Sequence, residues 1–98
     1  LFAKIGTPVL ACRSGRVIAA KRSRGMGNYI IIGHAHNIIT IYGHLSQIYV
    51  PRNRFVRQGD VIGSVGKTGN AKSADIQPHL HFEVRKNGIP EDPLEYLE

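Results

Sequence analysis

The stretch GMGNYIIIGHAHNIITIYGHL, residues 25–45, decides the fold of this chain. Its two ends, residues 25–34 and residues 38–45, are rich in β-branched side chains, which favour β-strands. The Ala-His-Asn segment between them is typical of a turn. The stretch therefore predicts two strands joined as a β-hairpin.

Outward from this hairpin, short β-rich runs separated by glycine continue in both directions. Residues 9–12 and 17–20 flank a Ser-Gly turn and predict a second hairpin. Residues 55–65 predict two short strands around a Gln-Gly-Asp turn, in which Asp60 has a purely structural place. Outside the C-terminal tail, the sequence shows no sustained 3.6-residue periodicity of the kind that predicts a helix. The pattern predicts an all-β fold, an antiparallel β-sandwich or barrel-like sheet.

The C-terminal part carries two further local indications. The Asn87-Gly88 pair is typical of a tight hairpin turn. Asp92 is suited to cap a helix and Pro93 to stand at its first position, so the tail predicts at most a short terminal helix.

Length and charge limit the possible functions. The 98 residues make one domain, residues 1–98. The formal net charge of +6 favours an anionic partner, such as nucleic acid, a membrane surface or an anionic cell-wall polymer. The basic residues are scattered in turns rather than lined up along a helix with interleaved aromatic residues, so we expect no nucleic-acid binding.

Three other features of the chain bear on its chemistry. No apolar run approaches the roughly 20 residues of a membrane span. The single Cys12 excludes an internal disulfide and a cysteine-rich zinc site. The sequence starts at Leu1 inside an apolar stretch and without methionine, and we expect further residues to precede it in the native protein.

The segment PHLHFEV, residues 78–84, holds the strongest chemical pattern. Alternation along a strand places His79, His81, Glu83 and Arg85 on one face and the apolar residues between them on the other. Two imidazoles on one face suit a metal site, an acid/base pair or two solvated rings. The spacing alone leaves these three interpretations open.

The remaining histidines lie around the central hairpin. Alternation places Thr40, Tyr42 and His44 on one polar face, where His44 is either a surface residue or part of a three-imidazole groove with the two histidines of residues 78–84. Three histidines would also satisfy the ligand count of a catalytic zinc, although nothing in the spacing demands it. His34 and His36 flank the hairpin tip, where solvation is the better interpretation. The Gly-Lys-Thr of residues 66–68 lacks the spacing of a phosphate-binding loop and indicates a β-turn.

The chain contains, in this order, the segments GTPVLACRSGRVIAA, GNYIIIGH, YGHL, VRQGDVIGSVGKTG, PHLHFEVRKNG and DPLEYL. Their order and approximate spacing resemble those of the LytM/lysostaphin-type zinc peptidases, which cut peptide cross-links in bacterial cell walls. The resemblance covers nearly the whole chain, and its most specific pieces are YGHL, HLHFEV and DPLEYL. It implies the duplicated hybrid-motif fold of that group. The polar segment of residues 70–77 is longer than the corresponding link in the family, and we expect it to form a rim of the substrate groove.

The resemblance also implies roles for three histidines. His81 corresponds to a zinc ligand, whereas His44 and His79 correspond to the pair that handles protons and stabilises the transition state. The zinc lowers the pKa of bound water and polarises the scissile carbonyl. The other two ligands of the family come from a His-x-x-x-Asp segment, expected immediately before Leu1. The 98 residues alone are therefore expected to bind zinc weakly and to cleave poorly.

The implied function is that of a zinc metalloendopeptidase acting on peptide stems or cross-bridges of peptidoglycan. The alternative is a catalytically inactive module of the same fold that binds peptidoglycan or activates other cell-wall hydrolases, which would then be its partners. Either function places the protein in the extracytoplasmic bacterial cell envelope, and a membrane anchor before Leu1 is compatible with both.

Overall fold

The computed structural model describes residues 2–69 and 77–97. The described residues form eight β-strands, which are β1 Pro8–Leu10, β2 Gly15–Ser23, β3 Gly27–His34, β4 Ile38–Ile48, β5 Phe55–Val56, β6 Val61–Val65, β7 His81–Lys86 and β8 Ile89–Glu91. Two short 3-10 helices, Ala35–Asn37 and Pro93–Tyr96, complete the regular structure of these residues. Among them, no helix combines the length and the apolar character needed to cross a membrane.

All eight strands belong to one antiparallel sheet that curls into a half-barrel. The strand order is β1-β6-β4-β3-β2-β5, with β7 on β4 and β8 on β7. The predicted all-β, barrel-like fold class is thereby confirmed, and so is the hairpin of β3 and β4.

The long strand β4 organises the sheet because it has different partners along one edge. Residues 38–43 pair with β7, and residues 45–48 pair with β6. Its other edge pairs with β3 along the hairpin. His44 is the residue at which the partner changes.

The core is built from alternate residues of these strands. Ile30 and Ile32 of β3 are fully buried, as strand alternation requires. In residues 78–84 the apolar side chains also face inward, since Val84 is buried and Leu80 and Phe82 pack against the core. The predicted division of this segment into an apolar and a polar face is correct for these residues.

The second predicted hairpin is wrong. Residues 9–12 do not pair with β2, because β1 pairs with β6 through Val9 and Gly63. The backbone of Ala11 is bonded to the turn at residues 58–60, with its N–H donating to Asp60 O and its carbonyl accepting from Gly59 N. These long-range bonds leave β2 to pair with β3 and β5.

Three local predictions are confirmed, two at turns and one at the C-terminal helix. Asn87 and Gly88 join β7 to β8 with φ values of 54° and 78°, which a two-residue hairpin turn requires. Asp60 accepts a hydrogen bond from Arg57 N within its turn. Asp92 caps Pro93–Tyr96 by accepting from Leu94 N at 3.0 Å.

Candidate active site at the bulge of strand β4

His44 lies on a bulge of β4. Between the pairs Ile30–Tyr42 and Asn28–Leu45, β4 advances by one residue more than β3. This extra residue resets the alternation of side chains along the strand. His44 adopts a φ of 61°, in the left-handed region, and its backbone N–H donates to Met26 O at 2.7 Å.

The predicted polar face of β4 is wrong. Thr40 and Tyr42 do not present a polar surface, because both are fully buried and Tyr42 belongs to the hydrophobic core. His44 is only 8% exposed, so it is not a surface residue either. The extra residue at the bulge places the ring of His44 in different surroundings from the side chains of Thr40 and Tyr42.

The ring of His44 is held by a backbone carbonyl. Its Nδ1 lies 2.7 Å from Thr68 O, and because a carbonyl only accepts, Nδ1 carries the hydrogen. Thr68 is itself fixed, since its hydroxyl donates to Leu45 O at 2.8 Å and accepts from Asn28 N at 3.0 Å. In the neutral ring, Nε2 is thus the nitrogen that can accept a proton.

Burial lowers the pKa of His44 from its ordinary value of 6.5. The hydrogen bond to Thr68 opposes this shift, whereas the neighbouring His79 and His81 add to it. The physical cause is that a cationic imidazole would lose hydration and would face two other rings that can become cationic.

The structure brings His44, His79 and His81 together. The ring centroid of His44 lies 5.1 Å from that of His79 and 5.8 Å from that of His81. His81 is the first residue of β7 and pairs with Gly43, whereas His79 precedes the strand in an isolated bridge with Phe2. The Nδ1 of His79 donates to Gln77 O at 3.0 Å, so Nε2 of His79 is the nitrogen with a free lone pair in the neutral ring.

His81 has a carboxylate beside it. Its Nε2 lies 3.6 Å from Glu83 Oε2, an ion-pair distance that is long for a hydrogen bond. The other oxygen of Glu83 accepts from Arg85 Nε at 3.1 Å and from Nη2 at 2.8 Å. A histidine that ligates a metal commonly directs its second ring nitrogen to a carboxylate, so this arrangement suits ligation through Nδ1 of His81.

The described residues do not make a complete metal site. Within residues 2–69 and 77–97, no three side chains of His, Cys, Asp or Glu are placed so that they could hold a metal ion. The interpretation of the three histidines as a zinc site of their own is therefore not supported. A zinc ion would need donors additional to His81.

Sequence reasoning missed the groups that support the site. Thr68 lies 24 residues from its partner His44, and Asn28 lies 40 residues from its partner Thr68. No local pattern connects residues so far apart. A Cβ at Gly43 would lie 3.4 Å from the Cβ of His81 and would require the end of the Met26 side chain to move. The glycine of the motif Tyr-Gly-His-Leu therefore lies in close contact with Met26 and His81.

The two histidines at the hairpin tip have different surroundings. His36 is exposed, as expected for a solvated residue. The same expectation for His34 is wrong, because its Nδ1 lies 2.8 Å from Ser14 O and its Nε2 lies 2.8 Å from Thr40 Oγ1. The expected rim segment, residues 70–77, falls outside the described residues except for Gln77.

Comparison with known proteins places this chain in one family. The pattern of peptidase family M23 matches residues 1–93, and the chain belongs to this family. The resemblance to LytM/lysostaphin-type peptidases is thus confirmed.

One relative and two solved structures illustrate the similarity. The peptidoglycan DD-endopeptidase ShyC of Vibrio cholerae is 38% identical over 91 residues, which cover 93% of this chain and 20% of that protein. The catalytic domain of lysostaphin from Staphylococcus simulans superposes with a TM-score of 0.85 at 35% identity, covering 97% of this chain and 73% of that chain. A zinc-containing peptidase from Vibrio cholerae superposes with a TM-score of 0.84 at 37% identity, covering 92% of this chain and 26% of that chain. The chain spans about a fifth of the length of the first curated relatives that it matches.

Proposed function

We propose that the protein is a zinc metalloendopeptidase that hydrolyses peptide cross-links of bacterial peptidoglycan, outside the cytoplasm. The observation that carries the proposal is the cluster of His44, His79 and His81, with ring centroids 5.1 and 5.8 Å from the ring of His44. Membership of family M23 and the similarity to peptidoglycan endopeptidases support the substrate class and the cell-envelope location.

His44 and His79 are the proposed proton-handling residues. Each ring donates through Nδ1 to a backbone carbonyl, which fixes the ring and leaves Nε2 as the exchanging atom. Partial desolvation keeps His44 neutral near pH 7, so its Nε2 is able to take up a proton at that pH. A bound peptide would therefore meet two imidazoles whose tautomers are set by the backbone.

His81 is the proposed zinc ligand of the described residues. Its neighbour Glu83 is held by Arg85 and faces the Nε2 side of the imidazole ring. We propose that the remaining donors come from the His-x-x-x-Asp segment expected before Leu1. The zinc-containing solved structure of a related peptidase supports the choice of metal.

The test is cleavage of purified peptidoglycan by the native-length protein, with the released peptides identified by mass spectrometry. We expect peptide release that a chelator abolishes and zinc restores. His81→Gln should lose both cleavage and bound zinc, whereas His36→Gln, which changes an exposed histidine outside the cluster, should lose neither. Absence of peptide release by zinc-loaded protein would overturn the proposal.

The alternative function is a non-catalytic module that binds peptidoglycan or activates other cell-wall hydrolases. The observation in its favour is that the described residues alone hold no complete metal-binding group. Sedimentation with peptidoglycan without peptide release, or faster cleavage by an added wall hydrolase, would favour this alternative. Either result together with zinc-free protein would make His44, His79 and His81 a binding surface.

A further inference from the structure

A cationic cavity lies beside the candidate site, at the turn of the β2–β3 hairpin. It has a volume of about 370 Å³ and is lined by Arg22, Ser23, Arg24 and Gly69. Ser23 and Gly27 are the last paired residues of the hairpin, so the cavity lies at the connection between the two strands.

The lining offers hydrogen-bond donors and positive charge. Arg22 and Arg24 are exposed, and among the described residues the ion pairs with carboxylates involve Glu83 and leave these two arginines unpaired. Ser23 Oγ accepts from Met26 N at 3.1 Å, so its own hydrogen remains for donation. Two guanidinium groups with a hydroxyl between them in sequence suit a carboxylate, which accepts several hydrogen bonds at once.

The cavity is connected to the support of the catalytic ring. Arg22 Nη1 donates to Asn28 Oδ1 at 3.4 Å, and Asn28 N donates to Thr68 Oγ1 at 3.0 Å. Thr68 is the residue whose carbonyl holds His44, and its neighbour Gly69 lines the cavity. A Cβ at Gly69 would collide with the backbone of Gly27, so the cavity wall and the hairpin turn are in close contact.

We propose that this cavity is a subsite for a free carboxylate of the substrate peptide, next to the bond that is cut. The proposal rests on the proposed function, since a peptidoglycan stem peptide supplies the carboxylate. Arg24 and Arg22 bind it from the turn, and the link through Asn28 and Thr68 sets its position relative to His44. The subsite makes stem peptides with free carboxylates better ligands than peptides in which these groups are amidated.

The experiment measures binding of two purified muropeptides by calorimetry, one with free and one with amidated stem carboxylates. The native-length protein carries His44→Asn in these measurements, so that binding is read without cleavage. We expect Arg22→Gln/Arg24→Gln to weaken binding of the free-carboxylate peptide about tenfold and to leave the amidated peptide unchanged. Arg24→Gln alone should give part of this loss, and it does not disturb the bond from Arg22 to Asn28.

The matched control is Arg52→Gln/Arg54→Gln, which removes the same charge from the segment before β5. This segment lies at the other end of β2, where Gly15 pairs with Val56. Equal losses for both peptides, or equal losses in the control and the test variant, would overturn the subsite. Failure of the unsubstituted protein to cleave peptidoglycan would overturn the proposed function, whereas discrimination between the two peptides would still uphold the carboxylate subsite.

Discussion

Two histidines of the β3–β4 hairpin, His34 at the end of β3 and His44 in β4, show how the same side chain serves different purposes. His34 has both ring nitrogens paired inside the protein, with Ser14 O and with Thr40 Oγ1. Thr40 Oγ1 is in turn 2.9 Å from Tyr42 Oη, which accepts from Cys12 N at 3.2 Å. His44 has one nitrogen paired with Thr68 O, and the rings beside it belong to His79 and His81.

The difference separates a histidine that joins strands from the proposed proton-handling histidine. A ring with both nitrogens bonded joins strands and has no atom left for a substrate. A ring that is fixed through one nitrogen keeps the other for proton transfer. Burial lowers the pKa of both histidines, so the hydrogen-bond pattern, and not the pKa, distinguishes them.

The largest expected effect comes from removing the ring of His44. His44→Asn should reduce peptide release from peptidoglycan by about 10²–10⁴-fold, the usual contribution of a general acid–base group. Asparagine tolerates the left-handed backbone of this position, so the substitution adds no backbone strain, and activity is compared per folded molecule. The control is His36→Asn, since His36 also has a positive φ, 65° against 61°, but is exposed. Full activity of His44→Asn would end the distinction between the two histidine sites.

Removing the ring of His34 should affect stability rather than chemistry. His34→Ala leaves Thr40, which is fully buried, without one of its partners, and an unsatisfied buried group costs about 1–3 kcal/mol. Urea unfolding measures this loss, and peptide release per folded molecule should stay at the level of the unsubstituted protein. A stability unchanged within error would show that water replaces the imidazole.

A smaller loss is expected from Tyr42→Phe. The ring keeps its packing against Phe82, whose centroid lies 5.4 Å away, but the hydroxyl that joins Thr40 and Cys12 is lost. We expect the free energy of unfolding to fall by about 0.5–1.5 kcal/mol. In the double variant with His34→Ala, the total loss of stability should be smaller than the sum of the two single losses, because both residues bond to Thr40. Strict additivity would contradict a connected network.

The smallest effect is the pH dependence that His34 contributes. Burial, together with the nearby Arg13, holds the pKa of His34 below 6.5 in the folded protein, although the bond to Ser14 acts in the opposite direction. The unfolded chain therefore takes up a proton first as pH falls below about 6.5. Its contribution to stability is fully present above that pH and is lost as pH falls through the folded pKa.

The measurement is urea unfolding of the unsubstituted protein and of His34→Gln between about pH 8 and pH 5. This range extends about 1.5 pH units above and below an ordinary histidine pKa. The stability difference between the two proteins should shrink toward the acidic end. A difference that grows with acidity would mean that His34 is stabilised as a cation.

Much of the fold could be predicted from local patterns. The β-branched runs of β3 and β4 and the alternation of residues 78–84 are local features, and the sheet follows them. The errors share one cause, which is bonding between distant residues. Ala11 bonds to the turn containing Asp60, and His34 bonds to Ser14, so neither outcome is visible in a short window.

The candidate site shows the same limit. Its three histidines could be predicted to meet, because the motifs YGHL and HLHFEV carry them. The bulge could not be predicted, since it lies in the pairing of β4 with β3 and leaves no mark in the local pattern. Alternation correctly places Thr40 and Tyr42 on one face, but their polar character does not indicate that this face is buried.

The partner change along β4 determines how late in folding the candidate site forms. His44 obtains its surroundings only when the backbone at Met26, the carbonyl of Thr68 and the start of β7 have all arrived. These segments are far apart in the chain, and contacts of this kind form slowly during folding. A partly folded chain therefore carries the three histidines without their arrangement. The cluster of histidines forms only when the sheet around β4 is complete.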